Sequence, residues 1–371
     1  MRIGVVTKWF SSGQATVARY WRDAFDQLGH ETFVLARPGS GPRAGGSGVD
    51  DPVWDAPGVT HASQQEVPTN EYARWASDND LEAAFFDNAY EFGEIRDGLR
   101  ANGVRTVGRF VWEHFSQDDV EPAGDAFDVI YSVTDAEHER YGRMGIEPVR
   151  VHMGIHPELL AIEPHRDGER ITLVWPGSFM GRRKPLDEAL EAFARVPDPR
   201  LRFLLRGQVE RKAGKLKKAA RKDPRIEVLL EDQPTAEHLQ SFANCDVCLT
   251  PSRWEGLGLP LYEATAFGMP IITNDDPPMN EVVRDGLNGL LIKSHPDGTT
   301  RSGIDAKSPD VDDMARAIEA IADDELRSRL TTGALEVRER LSWSRTVADL
   351  RALIERAVGV PVGTASDRTQ P

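Results

Sequence analysis

Two glutamates, Glu255 and Glu263, flank the run Gly256-Leu257-Gly258-Leu259-Pro260-Leu261-Tyr262. The segment before it, Cys245 to Thr250, reads as a short buried strand, and Pro260 onward reads as a helix with proline in its first turn. The glycines therefore fall at a strand-to-helix turn, where a ligand can approach the backbone closely and the N–H groups at the helix start favour an anion such as a diphosphate. Glu255 then faces the ligand from the loop and Glu263 projects inward from the first helical turn. Two carboxylates beside a phosphate cradle can accept hydrogen bonds from the hydroxyls of two sugars, as in a nucleotide-sugar. Taken alone, the same letters also describe a glycine turn with two solvated glutamates, and that plainer description is the commoner one.

The rest of the chain must position such a site. Its 371 residues exceed one usual core and suggest two domains. With 45 basic and 60 acidic residues the net charge is −15, which argues against nucleic acid as a partner. No apolar run is long enough to span a bilayer and the first residues read as a strand rather than a leader, so the expectation is a cytoplasmic protein. The two cysteines, Cys245 and Cys248, lack the further ligands of a zinc site and read as structural residues on opposite faces of one strand.

Strand and helix signals alternate twice. Arg2–Lys8, Glu31–Ala36, Leu81–Phe86, Arg105–Trp112 and Val129–Val133 read as strands, with helices at Ala15–Gln27, Glu94–Ala101 and Ala136–Met144. After a loop-like linker over Val149–Arg170, strands at Thr172–Trp175, Arg202–Leu205, Ile226–Leu229, Ile271–Thr273 and Gly289–Ile292 alternate with helices at Leu186–Arg195, Arg211–Lys222, Ala236–Ala243, Met279–Arg284 and Val311–Ala322. The fold class expected is α/β, two Rossmann-like doubly wound domains facing across a cleft. The boundaries are 1–160 for an acceptor-binding domain, 161–340 for a donor-binding domain, 341–358 for a helix packing back on the first domain, and 359–371 for a disordered tail. Pro38–Pro57 and Val67–Asn79 read as the loops that choose the acceptor.

The run Pro251 through Gly289 resembles the signature of glycosyltransferase family 4, the retaining enzymes of GT-B architecture. Gly154-Ile155-His156-Pro157 is similar to that family's linker loop, and Gly177 through Phe193 to its phosphate-contacting loop and helix. The resemblance covers about the second half of the chain. It implies that Glu255 holds the donor sugar, Glu263 the ribose hydroxyls and Lys184 the diphosphate, with N–H groups near Gly258 and Leu259 adding phosphate contacts. Charge that develops on a departing nucleoside diphosphate is met by a lysine and helix amides, so no metal or other cofactor is expected.

The chain departs from the family pattern in two places. Gly177 is followed by Ser178 where an arginine is common, and either Arg182 or Arg183 supplies the guanidinium or both are solvated. The N-terminal glycine-rich loop is reduced to Ser11-Ser12-Gly13, which leaves Gly13 to bring backbone near a phosphate. Glu113 and His114 end a strand where open α/β sheets place ligands, so His114 is a candidate to touch the sugar and Glu113 to accept from the acceptor hydroxyl; a satisfied structural histidine is the equal alternative. Asp87 and Asn88 end another strand and either bind acceptor or form an Asx turn or cap, the latter slightly favoured. Glu281 reads as helix N-terminal charge compensation near the sugar pocket.

Three patterns mislead. Gly39, Gly41 and Ala44 match a dinucleotide fingerprint without a following helix; Asp78-Asn79-Asp80 has the letters of a metal-dependent transferase but reads as a loop and cap; the basic run from Arg211 to Arg225 is a solvated helix face or, second, a contact for an anionic membrane surface at the inner face. The function expected is retaining transfer of a sugar from a nucleoside diphosphate sugar to the hydroxyl of an unknown acceptor, a glycan, lipid or small molecule. The alternative is a catalytically silent homologue that binds a nucleotide-sugar or supports a partner enzyme.

Overall fold

The computed structural model describes residues 1–39, 49–110, 114–166, 168–177, 181–207 and 213–359. The tail from 360, and Gly41 and Ala44 of the false fingerprint, lie outside the described residues.

The first half runs β1 (Arg2–Lys8), α1 (Gly13–Gln27), β2 (Glu31–Arg37), β3 (Val59–His61), α2 (Thr69–Asp78), β4 (Ala83–Asp87), α3 (Phe92–Gly98), β5 (Arg105–Arg109), α4 (Val120–Ala126), β6 (Val129–Ser132), α5 (Asp135–Arg143), β7 (Val149–Arg150) and α6 (Pro157–Leu160). Its strands form one parallel sheet in the order β3-β2-β1-β4-β5-β6-β7 among the described residues. Near-continuous apolar strands such as Ile3, Val5 and Val6 suit a parallel sheet covered on both faces, and all three are buried.

The second half runs β8 (Ile171–Pro176), α7 (Leu186–Ala194), β9 (Leu201–Arg206), α8 (Ala213–Lys222), β10 (Ile226–Leu229), α9 (Thr235–Ala243), β11 (Val247–Leu249), α10 (Leu259–Ala266), β12 (Ile271–Asn274), α11 (Met279–Val282), β13 (Gly289–Ile292), β14 (Ser294–Thr299), β15 (Asp305–Pro309), α12 (Val311–Ala320), α13 (Asp324–Arg340) and α14 (Trp343–Gly359). The strands β10-β9-β8-β11-β12-β13 make a second parallel sheet, and β14-β15 an antiparallel hairpin. Both parallel sheets reverse direction of growth at one place, between β1 and β4 and between β8 and β11, and ligands of open α/β sheets bind at such switch points.

The final helix returns to the first sheet's layer. Trp343 of α14 lies 6.1 Å from Tyr20 and 6.5 Å from Trp21, both on α1, and 4.7 Å from His156. Thr346 Oγ1 accepts from Gly154 N at 2.8 Å and donates to His152 O at 2.8 Å, so the segment between the sheets is pinned to this helix. That segment is therefore not the loose linker its prolines and glycine suggest, since it also contains β7 and α6. Val67–Asn79 is likewise mostly helix: Tyr72, Trp75 and Ala76 are buried at helical spacing, which outweighs the loop signals of its polar residues. Cys245 precedes β11 rather than sharing it with Cys248; both thiols are free and buried. No helix of the described residues is long and apolar enough to cross a membrane.

Candidate functional site

The loop after β8 and the loop after β11 meet. Gly177 follows β8 with its N–H on Arg206 O at 2.8 Å, and a methyl group there would stand 2.4 Å from the Trp175 ring, so the close approach requires glycine. Ser178 lies outside the described residues. Further along, Lys184 is buried, and its Nζ donates to Ser252 Oγ at 2.9 Å and Glu255 Oε2 at 3.2 Å, with Thr250 Oγ1 at 3.5 Å. Arg183 pairs with the other oxygen of Glu255, and Ser252 Oγ donates to Glu255 Oε2 at 3.1 Å. Burial pushes the Glu255 carboxyl up, but the Arg183 and Lys184 charges and the two hydrogen bonds outweigh it and hold it at about 2. Burial likewise pulls the Lys184 ammonium below its usual range, opposed by Glu255. Two cations against one carboxylate leave one net positive charge in this corner.

A brace invisible in the linear pattern holds the loops. Arg253 N donates to Arg183 O at 2.9 Å, and the Arg253 guanidinium pairs with Glu188 on α7 and Asp297 on β14. Lys307 N on β15 donates to Arg253 O at 2.8 Å. The hairpin thus fixes the loop carrying Arg183 and Lys184 to the loop carrying Glu255.

Gly258 caps α10 with φ +78, a conformation that costs other residues strain, and Leu261 N returns to Gly258 O at 2.8 Å. No side chain caps this helix, so its first amides face whatever enters. Glu263, on the first turns of α10, is half-buried, and no donor among the described residues reaches its carboxylate. Burial raises its carboxyl to about 7, opposed by Arg206 and reinforced by Glu158. Arg206 is buried at the carboxyl end of β9, with Nη1 on His238 O at 3.0 Å. Sequence reasoning missed it; the available signal was an arginine ending an apolar strand next to the Gly177 loop.

The first sheet supplies the facing wall. A methyl group on Gly13 would stand 3.5 Å from Leu259 Cδ1, so the reduced N-terminal loop touches the start of α10. Desolvation, then the Arg183 charge, then that of Lys8 pull the His114 imidazole below its usual range, so cations of both walls act on it. Glu113 lies outside the described residues. Asp87 is buried with Oδ1 3.3 Å from Arg109 Nη1, and Arg109 also pairs with Glu137, so this carboxylate serves an internal network rather than an open rim. Asn88 has φ +61 and donates its N–H to Arg109 O at 2.7 Å, the geometry of a turn.

Glu281 compensates a helix N-terminus, but one on the other side of the cleft. Its carboxylate accepts from Asp135 N at 2.7 Å and Ala136 N at 2.8 Å, at the start of α5. Asp51 answers from the first half, accepting from Thr235 N at 2.8 Å and Thr235 Oγ1 at 2.6 Å at the start of α9. Each half therefore caps a helix of the other.

The match to known proteins falls on the half that carries the glutamates. Residues 163–337 fit the model of the glycosyl transferases group 1 family. This stretch, just under half of the chain, is similar to a group 1 glycosyltransferase domain. A D-inositol 3-phosphate glycosyltransferase of Stackebrandtia nassauensis is 34% identical over 144 residues, 37% of this chain and 29% of that protein. One of the same name from Geodermatophilus obscurus is 32% identical over 214 residues, 52% and 42% of the two chains. The chain thus spans less than half the length of these two relatives. Beyond the group 1 domain the likeness is one of fold. A sucrose-phosphate synthase from Thermosynechococcus elongatus superposes with a TM-score of 0.73 at 15% identity over 97% of this chain and 99% of that one. Anabaena HepE, solved with UDP and glucose, does so at 0.70 and 13% identity over 97% and 100%. Both halves, not the matched region alone, share this two-domain GT-B architecture.

Proposed function

We propose that this protein is a retaining glycosyltransferase that moves a sugar from a nucleoside diphosphate sugar to an acceptor hydroxyl in the cleft between its two sheets. The observation that carries this reading is the buried Glu255 carboxylate, held ionised by Arg183 and Lys184 beside the uncapped start of α10. In it the diphosphate lies against Lys184, Arg183, the Gly177 loop with Ser178, and the amides of Gly258 and Leu259, with Gly13 closing over it. Glu263 takes the ribose hydroxyls, for which its carboxylate is open, and Glu255 and His114 take hydroxyls of the transferred sugar. Glu113 is the proposed acceptor contact, and Asp87 and Asn88 act only indirectly, through Arg109.

The bond from the anomeric carbon to the diphosphate oxygen breaks, and the bond to the acceptor oxygen forms on the same face. The acceptor's proton passes to the departing phosphate oxygen. Glu255 is unsuited to act as a nucleophile, because its two cations stabilise the carboxylate and would be left unmatched by ester formation. The local positive charge and the helix amides act on charge that grows as the leaving group departs, so the scheme routes no step through a metal. Closure of the cleft completes the site and excludes water.

UDP is the first nucleotide to test, since HepE was solved with UDP and glucose and a pneumococcal O-GlcNAc transferase of the same fold with UDP and GlcNAc. Calorimetric titration with UDP is expected to show binding that Lys184→Ala and Glu263→Gln each weaken by at least about tenfold, roughly the 1.4 kcal/mol of one lost charge-assisted contact. Binding unchanged in both variants contradicts the placement of the donor.

A further inference from the structure

The carboxyl ends of β1 and β2 carry two cations side by side. Lys8 and Arg37 are register partners on adjacent parallel strands, so their side chains leave the same face of the sheet, at the switch point where the cleft opens. They are not equivalent. Arg37 is buried and spent on the protein: its Nη1 is 3.3 Å from Glu91 Oε1, and Nη2 donates to the carbonyls of Asp87 and Asn88, each at 3.1 Å. Its Nε has no hydrogen-bond partner among the described residues. Lys8 is half-buried and makes no hydrogen bond and no ion pair among the described residues. The Asp87 carboxylate attracts the Lys8 ammonium, but one of its oxygens is on Arg109 and, one position past the Phe86 that pairs with Val6, its side chain leaves the opposite face of the sheet from Lys8. An ammonium taken partly out of water, beside a second cation and with no ion-pair partner among the described residues, is poorly compensated until an anion completes it. In a chain of net charge −15 it is also a local inversion of sign.

The donor's own diphosphate has its cations on the other wall, at Arg183 and Lys184. We propose that Lys8 receives an anionic group of the acceptor, so that the acceptor is a phosphorylated or carboxylated sugar or polyol rather than a neutral one. This rests on the glycosyltransferase reading above and adds the acceptor's chemical class to it. Lys8 acts here as a binding and specificity residue, a compact point charge that tolerates either kind of oxyanion.

The test uses the full chain and compares glucose 6-phosphate, glucuronate and glucose as probes, titrated with and without saturating UDP and followed by calorimetry. Both anions are expected to bind at least tenfold more tightly than glucose, Lys8→Met to abolish that difference, and Lys8→Arg to retain most of it, with UDP affinity the same in all three proteins. A preference for glucose 6-phosphate alone narrows the class to phosphate, and one for glucuronate alone to carboxylate. Equal binding of charged and neutral probes by the wild type, or a preference that survives in Lys8→Met, overturns the proposal. Loss of UDP binding in Lys8→Met overturns it too, because the lysine then belongs to the donor. Failure of UDP to bind the wild type counts against the donor reading, and the titrations without nucleotide still decide the role of Lys8.

Discussion

The Lys184 ammonium stands 3.2 Å from the Glu255 carboxylate in a corner where both are buried, and Arg183 holds the second oxygen of the same carboxylate. Removing one member of such a set leaves the others buried and unmatched, which costs more than the pair contributes. Glu255→Gln is therefore expected to lower transfer by about 10²–10³-fold, as loss of a preorganised polar group does, while UDP still binds. A variant that keeps wild-type turnover removes Glu255 from the donor-sugar site.

The same group has a pH signature. Its folded value of about 2 lies below the ordinary 4.5, so the unfolded state takes up a proton first as pH falls. The stability this contributes is fully present above pH 4.5 and is lost between 4.5 and 2; it amounts to about 3 kcal/mol at most. Acid unfolding curves of Glu255→Gln should be flatter than wild type across that window, and parallel curves would contradict the pairing.

Glu263 behaves in the opposite sense. Its folded carboxyl at about 7 remains protonated while the unfolded one, at 4.5, has ionised, so above pH 4.5 it destabilises the free protein, increasingly up to pH 7. Glu263→Gln should raise thermal stability at pH 8, by on the order of 1–2 kcal/mol, and weaken UDP binding. In the wild type UDP affinity should climb as pH passes through 7, and in the variant that rise should vanish. A pH-independent affinity in both proteins would show that Glu263 does not contact the nucleotide.

How much of this was legible in the sequence differs between the two halves. The Glu255–Glu263 turn, Gly177 and Lys184 were readable because loops and helix starts close together in sequence carry them, and the structure gathers them at one switch point. The bracing hairpin over Ser294–Thr299 and Asp305–Pro309 was not, since its proline, glycine and serine content imitates an irregular loop. Helix α13 was missed because its apolar stripe is thin: Leu330, Ala334 and Val337 are buried among many charges. Lys8 looked like an ordinary strand end, and only its register opposite Arg37 singles it out. The caps at Asp51 and Glu281 join residues far apart in the chain, and no local pattern announces such a pair.

Those two caps give a prediction about the cleft. Asp51→Ala and Glu281→Ala should each reduce stability by about 1 kcal/mol, the usual loss for a helix cap. The double variant should show a larger radius of gyration in solution scattering than the wild type, with UDP reversing part of the change. Identical scattering in all forms would show that the caps do not hold the halves together.

Gly258→Ala tests the helix start. The backbone at φ +78 and a methyl group 2.8 Å from Leu261 Cδ1 both resist the change, at about 1–3 kcal/mol. UDP affinity should fall by at least about tenfold as the amides are displaced. Gly214→Ala on α8, where a methyl group meets nothing within 4 Å, is the control and should leave binding unaltered.

The most direct test of the central claim is proton NMR of wild type and Lys184→Ala incubated with UDP-glucose, UDP-N-acetylglucosamine or GDP-mannose, each with glucose 6-phosphate, glucuronate or glucose. The expected result is nucleoside diphosphate released from one donor, a new glycoside whose anomeric proton keeps the donor's configuration, and near-complete loss of both in the variant. No release from any donor, an inverted product, or equal rates in wild type and Lys184→Ala would contradict it.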